Sequence, residues 1–402
     1  MTGGTRDRTG RRRTARTHPF AGQVLFEGRP GELPRGMEDP FPLKLCTVRL
    51  VDPATYPGGP PVATQLTDGR GRFAFARDEL AGRRPTDLLL EVVATNPRGL
   101  HLCHGADRTP WAFLSLEPAG HQMRITVPED EWASVELWST YPHVQPTGLQ
   151  EEHSLRQAFR AFAVLTQMRA WLWNGGADSR VYPWVRRTNV VYPATSCFYL
   201  DGDVFLGAAT RRGMRREYQY SLSGLAHEFG HHVVAAAAPR APIPGGQHGW
   251  TAELPAAGAP ASLLRQRLAM DFSEAYATFI GQSFLGDRTY SYVDGERHDL
   301  ETPPPACAGD WPTAGYLWDL TDGAYDVDRV ELPFGDVHRE LAAFAAARGH
   351  RVLTLPDFHE HLKRSTRLSA SAADLDVLLA RNNLDEAYRR WGALPAAERD
   401  HA

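Results

Sequence analysis

One short segment, Leu225-Ala-His-Glu-Phe-Gly-His231, restricts the possible structures of this chain more than any other segment does. It places His227 and His231 four residues apart, with Glu228 directly after the first histidine. Residues i and i+4 lie on the same face of a helix. Apolar residues recur here at helical spacing, namely Leu222, Leu225, Phe229 and Val233. Either of two serines can cap the start, Ser221 or Ser223. The segment predicts a helix, ended by Pro239, whose two imidazoles hold one metal ion, a pattern typical of zinc.

Chance is the alternative interpretation of this pattern, because the chain contains 16 histidines in 402 residues. Two histidines on a surface or in a core would then have no common ligand. The apolar helix around the pair and a plausible third ligand further along the chain favour the metal site.

The third ligand is predicted to be Glu274. A histidine ligand at the metzincin spacing is excluded, because Val234 and Ala237 stand where that pattern needs glycine and histidine. Glu274 follows on a second predicted helix, on a face shared with small residues that permit close packing against another helix: Ala277, Thr278 and Gly281. Two alternatives stay open. Glu274 can be the partner of Asp271 in a capping box, and Glu253 in a Gly/Pro/Ala-rich segment is a rival ligand.

Four features together resemble gluzincin metallopeptidases, the thermolysin and fungalysin group, over roughly residues 154–320. They are the hairpin at Ser196-Cys-Phe-Tyr199, the zinc helix His227–His231, the segment Glu274-Ala-Tyr-Ala, and Gly315-Tyr-Leu-Trp-Asp-Leu320. The resemblance implies a zincin-type catalytic domain that binds one catalytic Zn²⁺ through His227, His231 and Glu274. It also implies a metalloendopeptidase in which Glu228 is the general base and an extended peptide lies along the hairpin edge.

Two departures from that family are visible. Thr278 stands where the family usually has an aspartate that hydrogen-bonds a ligand histidine, so the outer partner of the metal site must differ. The residue that stabilises the oxyanion is not identified, and the candidates are Tyr276, Tyr316 and His338. These departures motivate an alternative from another class, a catalytically degenerate, zinc-containing protein that binds its partner through an N-terminal β-sandwich.

The N-terminal part, residues 20–128, reads as short strands separated by Gly and Pro clusters. Leu88–Ala94 is expected to be a central strand, and Met123, Ile125 and Val127 alternate as a further strand. The segments Gly22–Phe26, Cys46–Leu50 and Thr67–Phe75 resemble transthyretin-like modules of the kind that accompany carboxypeptidases. We therefore expect an antiparallel, transthyretin/Ig-like β-sandwich, whose role is positioning or recognition.

Residues 1–19 carry six arginines and no apolar segment of a signal peptide, which predicts a disordered basic tail. The default expectation is a cytoplasmic protein, with export by another route as the alternative. A formal charge of −4 argues against nucleic acid as the main partner. Since no run approaches 18 apolar residues, no membrane span is expected.

Four cysteines allow three pairings, among them the bridges Cys46–Cys103 and Cys197–Cys307, and buried free thiols are the alternative.

These observations predict a multidomain α+β protein. A linker at 129–150 follows the sandwich, the zincin N-lobe with the metal helix covers 151–250, and a helical C-lobe at 251–392 carries the third ligand. Four further helices are expected, at Ser154–Trp173, Val337–Ala347, Asp357–Arg364 and Ala372–Leu379.

Overall fold

The computed structural model describes most of the chain in separate segments. These are residues 20–26, 33–37, 41–56, 58–83, 87–96, 99–104, 108–114, 134–138, 149–174, 187–194, 197–207, 221–241, 254–291, 297–302, 309–323 and 329–400. The predicted tail at 1–19, the strand at 123–127, Ser196, Glu253 and Cys307 lie outside them.

The described strands and helices follow one another in a clear order, with strands dominating the first half and helices the second. The strands are β1 (Phe20–Phe26), β2 (Phe41–Pro42), β3 (Thr47–Val51), β4 (Ala63–Leu66), β5 (Arg72–Phe75), β6 (Leu89–Val93), β7 (Leu100–His104), β8 (Thr109–Pro110), β9 (Ala112–Leu114), β10 (Ser134–Trp138), β11 (Thr188–Ala194), β12 (Phe198–Leu200), β13 (Asp203–Gly207), β14 (Thr289–Ser291) and β15 (Arg297–Asp299). The helices are α1 (Leu149–Asn174), α2 (Leu222–Ala237), α3 (Ala261–Leu285), α4 (Asp310–Asp319), α5 (Phe334–Arg348), α6 (Leu355–Arg364), α7 (Ala372–Arg381), α8 (Asp385–Gly392) and α9 (Ala396–Asp400).

The first compact unit contains two four-stranded sheets. One has the order β4-β3-β6-β9 and is antiparallel throughout. Its strand β6 is buried along its whole length, as expected for a central strand. In the other sheet, β1 pairs antiparallel with β2 and β5 but parallel with β10. Strand β10 lies in the segment 129–150 that the sequence analysis predicts as a linker, and its pairing with β1 adds a parallel strand to the antiparallel pattern predicted for 20–128. Alternation along a strand does not reveal the direction of its partner.

The second compact unit has a five-stranded mixed sheet of order β12-β13-β11-β7-β8. Strands β7 and β8 come from residues 99–104 and 108–111, which belong to this unit although the sequence placed them in the sandwich at 20–128. Strand β7 pairs parallel with β11. The Trp111 indole donates a hydrogen bond of 2.7 Å to the Tyr192 carbonyl, which fixes the segment to the same strand.

The expected hairpin forms between β12 and β13. Phe198 pairs with Phe205, and their rings stack with centroids 4.3 Å apart. Asp201 and Gly202 both have positive φ, at 51° and 95°. Two successive residues of this conformation are typical of a tight two-residue hairpin turn.

The C-terminal half is mostly helical, and the predicted helices at 154–173, 337–347, 357–364 and 372–379 each fall within an observed helix. The helices of the second unit bury large aromatic side chains, among them Phe159, Phe162, Tyr276, Phe279 and Phe358. Among the described helices, none combines the length and apolar character needed to cross a membrane.

Cys46, Cys103 and Cys197 are free thiols. Cys46 directly precedes β3, and its sulfur donates to the Val93 carbonyl. Cys103 lies on β7, and its sulfur donates to the Val190 carbonyl. The bridge Cys46–Cys103 is therefore not formed, and the alternative of buried thiols describes both residues.

Candidate metal centre

Helix α2 begins as its sequence predicts. The Ser221 hydroxyl accepts a hydrogen bond of 2.9 Å from the Gly224 N–H and so caps the helix. Ser223, the alternative cap, lies inside the first turn and accepts the Ser291 N–H instead. These contacts fix the start of the helix against β14. The helix ends at Ala237, directly before Ala238 and Pro239.

Glu274 lies in the middle of the 25-residue helix α3, which begins at Ala261. Asp271 is also in the helix interior, so the capping-box interpretation of Asp271 and Glu274 is wrong. The Asp271 carboxyl group instead lies 2.7 Å from the Arg267 guanidinium and accepts the Gly309 N–H. Glu274 is therefore not needed to cap a helix, and its carboxylate is available to α2.

Helices α2 and α3 approach each other closely through small residues. A Cβ added at Gly230 would lie 2.5 Å from the Ala277 carbonyl oxygen, and one added at Gly281 would lie 3.1 Å from the backbone nitrogen of His227. Contacts below 3.0 Å essentially never occur for real Cβ atoms. The small residues on α3 therefore permit the approach that brings Glu274 to the two histidines.

Three potential ligand atoms form a nearly equilateral triangle between these helices. His227 Nε2 and His231 Nε2 are 3.2 Å apart, and each lies 3.1 Å from Glu274 Oε2. A tetrahedral zinc ion with bonds of about 2.0–2.1 Å separates its ligand atoms by about 3.3 Å. The spacing of the triad, His227, His231 and Glu274, therefore fits one small tetrahedral cation without rearrangement of the helices.

Hydrogen bonds alone satisfy this triangle poorly. Each neutral imidazole has one N–H, and an ionised carboxylate only accepts. If both histidines donate to Glu274, their two protonated Nε2 atoms face each other at 3.2 Å. A cation within the triangle removes that repulsion, because all three atoms then act as electron-pair donors.

Comparison with known proteins adds no assignment. No protein-family model matches the chain, and no curated protein matches it.

The electrostatics of the triad favour a bound cation. Burial alone would raise the pKa of Glu274, but the imidazoles of His231 and His227 outweigh it and hold the pKa well below its usual range. Glu274 is therefore ionised at neutral pH, as a carboxylate that ligates a metal has to be. The side chains of both histidines are more than nine-tenths buried.

Thr278 supplies the outer partner of the first histidine. Its Oγ1 lies 2.9 Å from His227 Nδ1, and Thr278 is fully buried. A neutral imidazole that offers Nε2 to a metal carries its proton on Nδ1. In that tautomer His227 donates to the threonine hydroxyl, and the contact fixes the orientation of its ring.

Glu228 directly follows His227 on α2 and is buried. Its charge acts on Cys197, whose pKa is raised to about 12, first by burial and then by Glu228. Cys197 directly precedes β12, so the hairpin lies near Glu228. Within the described sheet, β12 is one of the two edge strands, and β8 is the other. The sequence predicts an edge strand beside the metal helix, and β12, Phe198–Leu200, is an edge strand that contacts α2.

None of the three oxyanion candidates lies at the triad. The Tyr316 hydroxyl bonds His359 Nδ1 at 2.8 Å, and the Tyr276 hydroxyl donates to the Val337 carbonyl at 3.4 Å. His338 is fully buried and stacks on Phe334. Tyr276 is two residues from Glu274, and such residues face different sides of a helix. Each of the three candidates is therefore engaged in contacts of the helical core, and none of these contacts involves the triad.

Two aromatic residues contact the ligand helix, and the sequence analysis named only one of them, Tyr199 of the hairpin. The Tyr290 ring lies edge-on to His227, with centroids 6.1 Å apart, and Tyr199 on β12 lies 6.0 Å from the His232 ring. His232 Nε2 is 2.9 Å from the Thr188 hydroxyl. No local motif marks Tyr290, since its proximity arises from the packing of β14 on α2.

Proposed function

We propose that the protein is a zinc-dependent metalloendopeptidase of the gluzincin type. The observation that carries the proposal is the spacing of His227 Nε2, His231 Nε2 and Glu274 Oε2, at 3.1–3.2 Å from one another. Two imidazoles and one carboxylate are the protein ligands typical of a catalytic zinc site, which keeps a further position for water or substrate.

When bound, a zinc ion supplies a Lewis acid that polarises a carbonyl group and acidifies water. The protein's own contribution to the chemistry is proton transfer by Glu228. Its carboxylate accepts a proton from the attacking water and delivers it to the leaving amine. Burial of Glu228 beside the triad keeps bulk water away from this transfer.

The substrate is an extended peptide that pairs with β12. An edge strand presents backbone N–H and C=O groups that an extended chain can bind. Leu200 at the end of β12 is about half exposed, at 54%, and offers an apolar contact beside that edge. Backbone pairing supplies affinity without strong dependence on the peptide's sequence, which suits an endopeptidase.

A second function, a zinc-containing binding protein without catalytic activity, is favoured by one observation. The oxyanion candidates Tyr276, Tyr316 and His338 are all held in the core by contacts away from the triad. A metal site without a stabilised oxyanion would bind a carbonyl but cleave slowly.

The deciding experiment compares the wild-type protein with Glu228→Gln, both loaded with one zinc ion. Each is incubated with unfolded casein, and new peptide termini are identified by mass spectrometry. We expect cleavage by the wild type and a loss of about 10²- to 10⁴-fold in the variant, with its zinc content unchanged. Glu386→Gln, an exchange of an exposed carboxylate on α8, is the matched control.

The outcomes separate the two functions. Cleavage that depends on Glu228 supports the peptidase. An uncut substrate with stoichiometric zinc in the wild type supports the binding protein, and equal cleavage by wild type and Glu228→Gln contradicts the proposed role of Glu228.

A further inference from the structure

A cavity of about 450 Å³ lies in the second unit, away from the metal triad. Three aromatic rings line it, those of Trp171, Trp318 and Phe334, and Trp171 and Phe334 have their ring centroids 4.7 Å apart. The volume lies within the range of sites for small organic molecules. Ser283, nine residues after Glu274 on α3, places the cavity about 13 Å along that helix from the triad.

The polar part of the lining is acidic. Asp322 and Glu331 contribute carboxylates, and no lysine, arginine or histidine is among the described lining residues. Asp322 also belongs to a group of carboxylates, with Glu301 and Asp319, whose oxygens lie within 4.8 Å of one another. The charged residues that line the cavity together with the aromatic rings are therefore both acidic.

Two helices add to this negative potential, because both end at the cavity. Ser283 lies in the last turn of α3, and Gly286 is its C-terminal cap. Trp318 lies in the last turn of α4. The C-terminal end of a helix carries a partial negative charge, which favours a nearby cation.

We propose that this cavity binds a small organic ammonium ion, an amine that is protonated at neutral pH and carries an apolar body. The aromatic rings attract a cation through their faces and pack against the apolar body. The carboxylates of Asp322 and Glu331 accept hydrogen bonds from the ammonium group. An anion is repelled by every charged lining residue, and a bare metal ion makes no use of the three rings.

Glu331 is positioned by a glycine. A Cβ added at Gly323 would overlap the Glu331 side chain, whose Cβ and Cγ are its nearest neighbours. Gly323→Ala therefore displaces Glu331 without changing any charge of the site. Gly323→Ala thus tests the position of the Glu331 carboxylate, whereas Glu331→Gln tests its charge.

The test is isothermal titration of the full-length protein with protonated 2-phenylethylamine, beside 2-phenylethanol, a neutral molecule of similar shape. We expect the amine to bind at least about tenfold more tightly than the alcohol, because only the ammonium group gains the charged hydrogen bonds. Zinc-loaded and chelator-treated protein should give the same affinity, since the cavity is separate from the triad. The result is therefore independent of whether the protein is a peptidase.

The variants assign the binding to this cavity. Asp322→Asn should weaken amine binding about tenfold or more, while Glu331→Gln and Gly323→Ala should weaken it less, since Glu331 is exposed. Glu386→Gln on α8 is the control and should leave it unchanged. Equal affinity for amine and alcohol, no binding of the amine, retained affinity in Asp322→Asn, or binding of calcium in place of the amine would each overturn the proposal.

Discussion

Thr278 Oγ1 lies 2.9 Å from His227 Nδ1 in a fully buried setting, so a neutral hydroxyl orients the first histidine of the triad. A carboxylate at this place would raise the basicity of the imidazole through its charge, whereas a hydroxyl only fixes its tautomer and direction. With a hydroxyl partner the imidazole is a weaker electron donor. A metal bound to His227 would therefore keep more of its Lewis acidity than one whose histidine ligand is paired with a carboxylate.

Replacement of Thr278 by valine should weaken zinc binding. Valine keeps the shape of threonine but leaves His227 Nδ1–H without its acceptor, and loss of such a partner typically costs 10- to 100-fold in metal affinity. Thr278→Ser retains the hydroxyl and should stay near the wild type. Competition with a chromophoric chelator measures both, and equal affinity of the valine and serine variants would contradict the role assigned to Thr278.

Removal of the third ligand should abolish stoichiometric zinc. In Glu274→Ala two imidazoles remain, and a site with two protein ligands falls short of the three that a catalytic zinc site needs. Elemental analysis after gel filtration gives the metal content per chain. Glu301→Ala, a half-buried carboxylate in the other acidic group, should keep its zinc, and zinc retained by Glu274→Ala would show that Glu274 is not a ligand.

The contact between α2 and α3 should tolerate no added methyl group at Gly230. An alanine there would place its Cβ 2.5 Å from the Ala277 carbonyl oxygen, and overpacking of this kind costs about 1–3 kcal/mol in the free energy of unfolding. Gly281→Ala, with a nearest contact of 3.1 Å, should cost less. A Cβ added at Gly392 on α8 would meet no atom within 4 Å. Gly392→Ala should therefore leave the free energy of unfolding in urea unchanged or raise it slightly.

His338 should make the protein sensitive to acid. Burial lowers its pKa from the usual 6.5 to about 4, so the folded protein holds it neutral. The stability this group contributes is present above pH 6.5 and is lost as the pH falls from 6.5 towards 4. His338→Leu should therefore unfold at lower pH than the wild type, followed by circular dichroism. An unchanged or higher acid midpoint would contradict this expectation.

Asp271 should make the protein less stable as the pH rises, whereas His338 makes it less stable as the pH falls. Burial, and then the neighbouring charge of Asp310, raise its pKa from the usual 3.8 to about 8 against the lowering effect of Arg267. The folded protein then holds a proton that the unfolded chain has lost, so stability falls between pH 4 and pH 8, by at most about 1.4 kcal/mol per pH unit.

Asp310→Asn removes the repulsion while keeping the shape of the side chain. The pKa of Asp271 should fall, and the loss of stability between pH 4 and pH 8 should become shallower. Urea unfolding at several pH values measures the slope. A slope equal to that of the wild type would mean that Asp310 does not determine the protonation of Asp271.

Local sequence was sufficient to predict the parts of the site that depend on local structure. Ser221 caps α2, the hairpin turns at Asp201 and Gly202, and small residues on α3 let Glu274 reach the histidines. Each follows from capping, turn or helical spacing, which act over a few residues.

The errors arose where distant segments meet. The start of α3 at Ala261 was missed, and with it the helix-interior position of Asp271, because Asp271 and Glu274 happen to match a capping box. Tyr316 is held by His359, 43 residues away, and Tyr290 reaches His227 through the packing of β14. Spacing along the chain carries no signal for such contacts.

The pairing of β7 with β11 determines how this protein can be divided in the laboratory. A fragment begun at the end of the predicted sandwich would lack β7 and β8, and so leave Thr188–Val191 with a bare row of backbone groups along one side of the strand. Exposed edges of this kind promote aggregation. Insolubility of such a fragment would therefore reflect a missing strand and not an unstable triad, and a soluble fragment that contains the triad has to carry residues 99–111 with it.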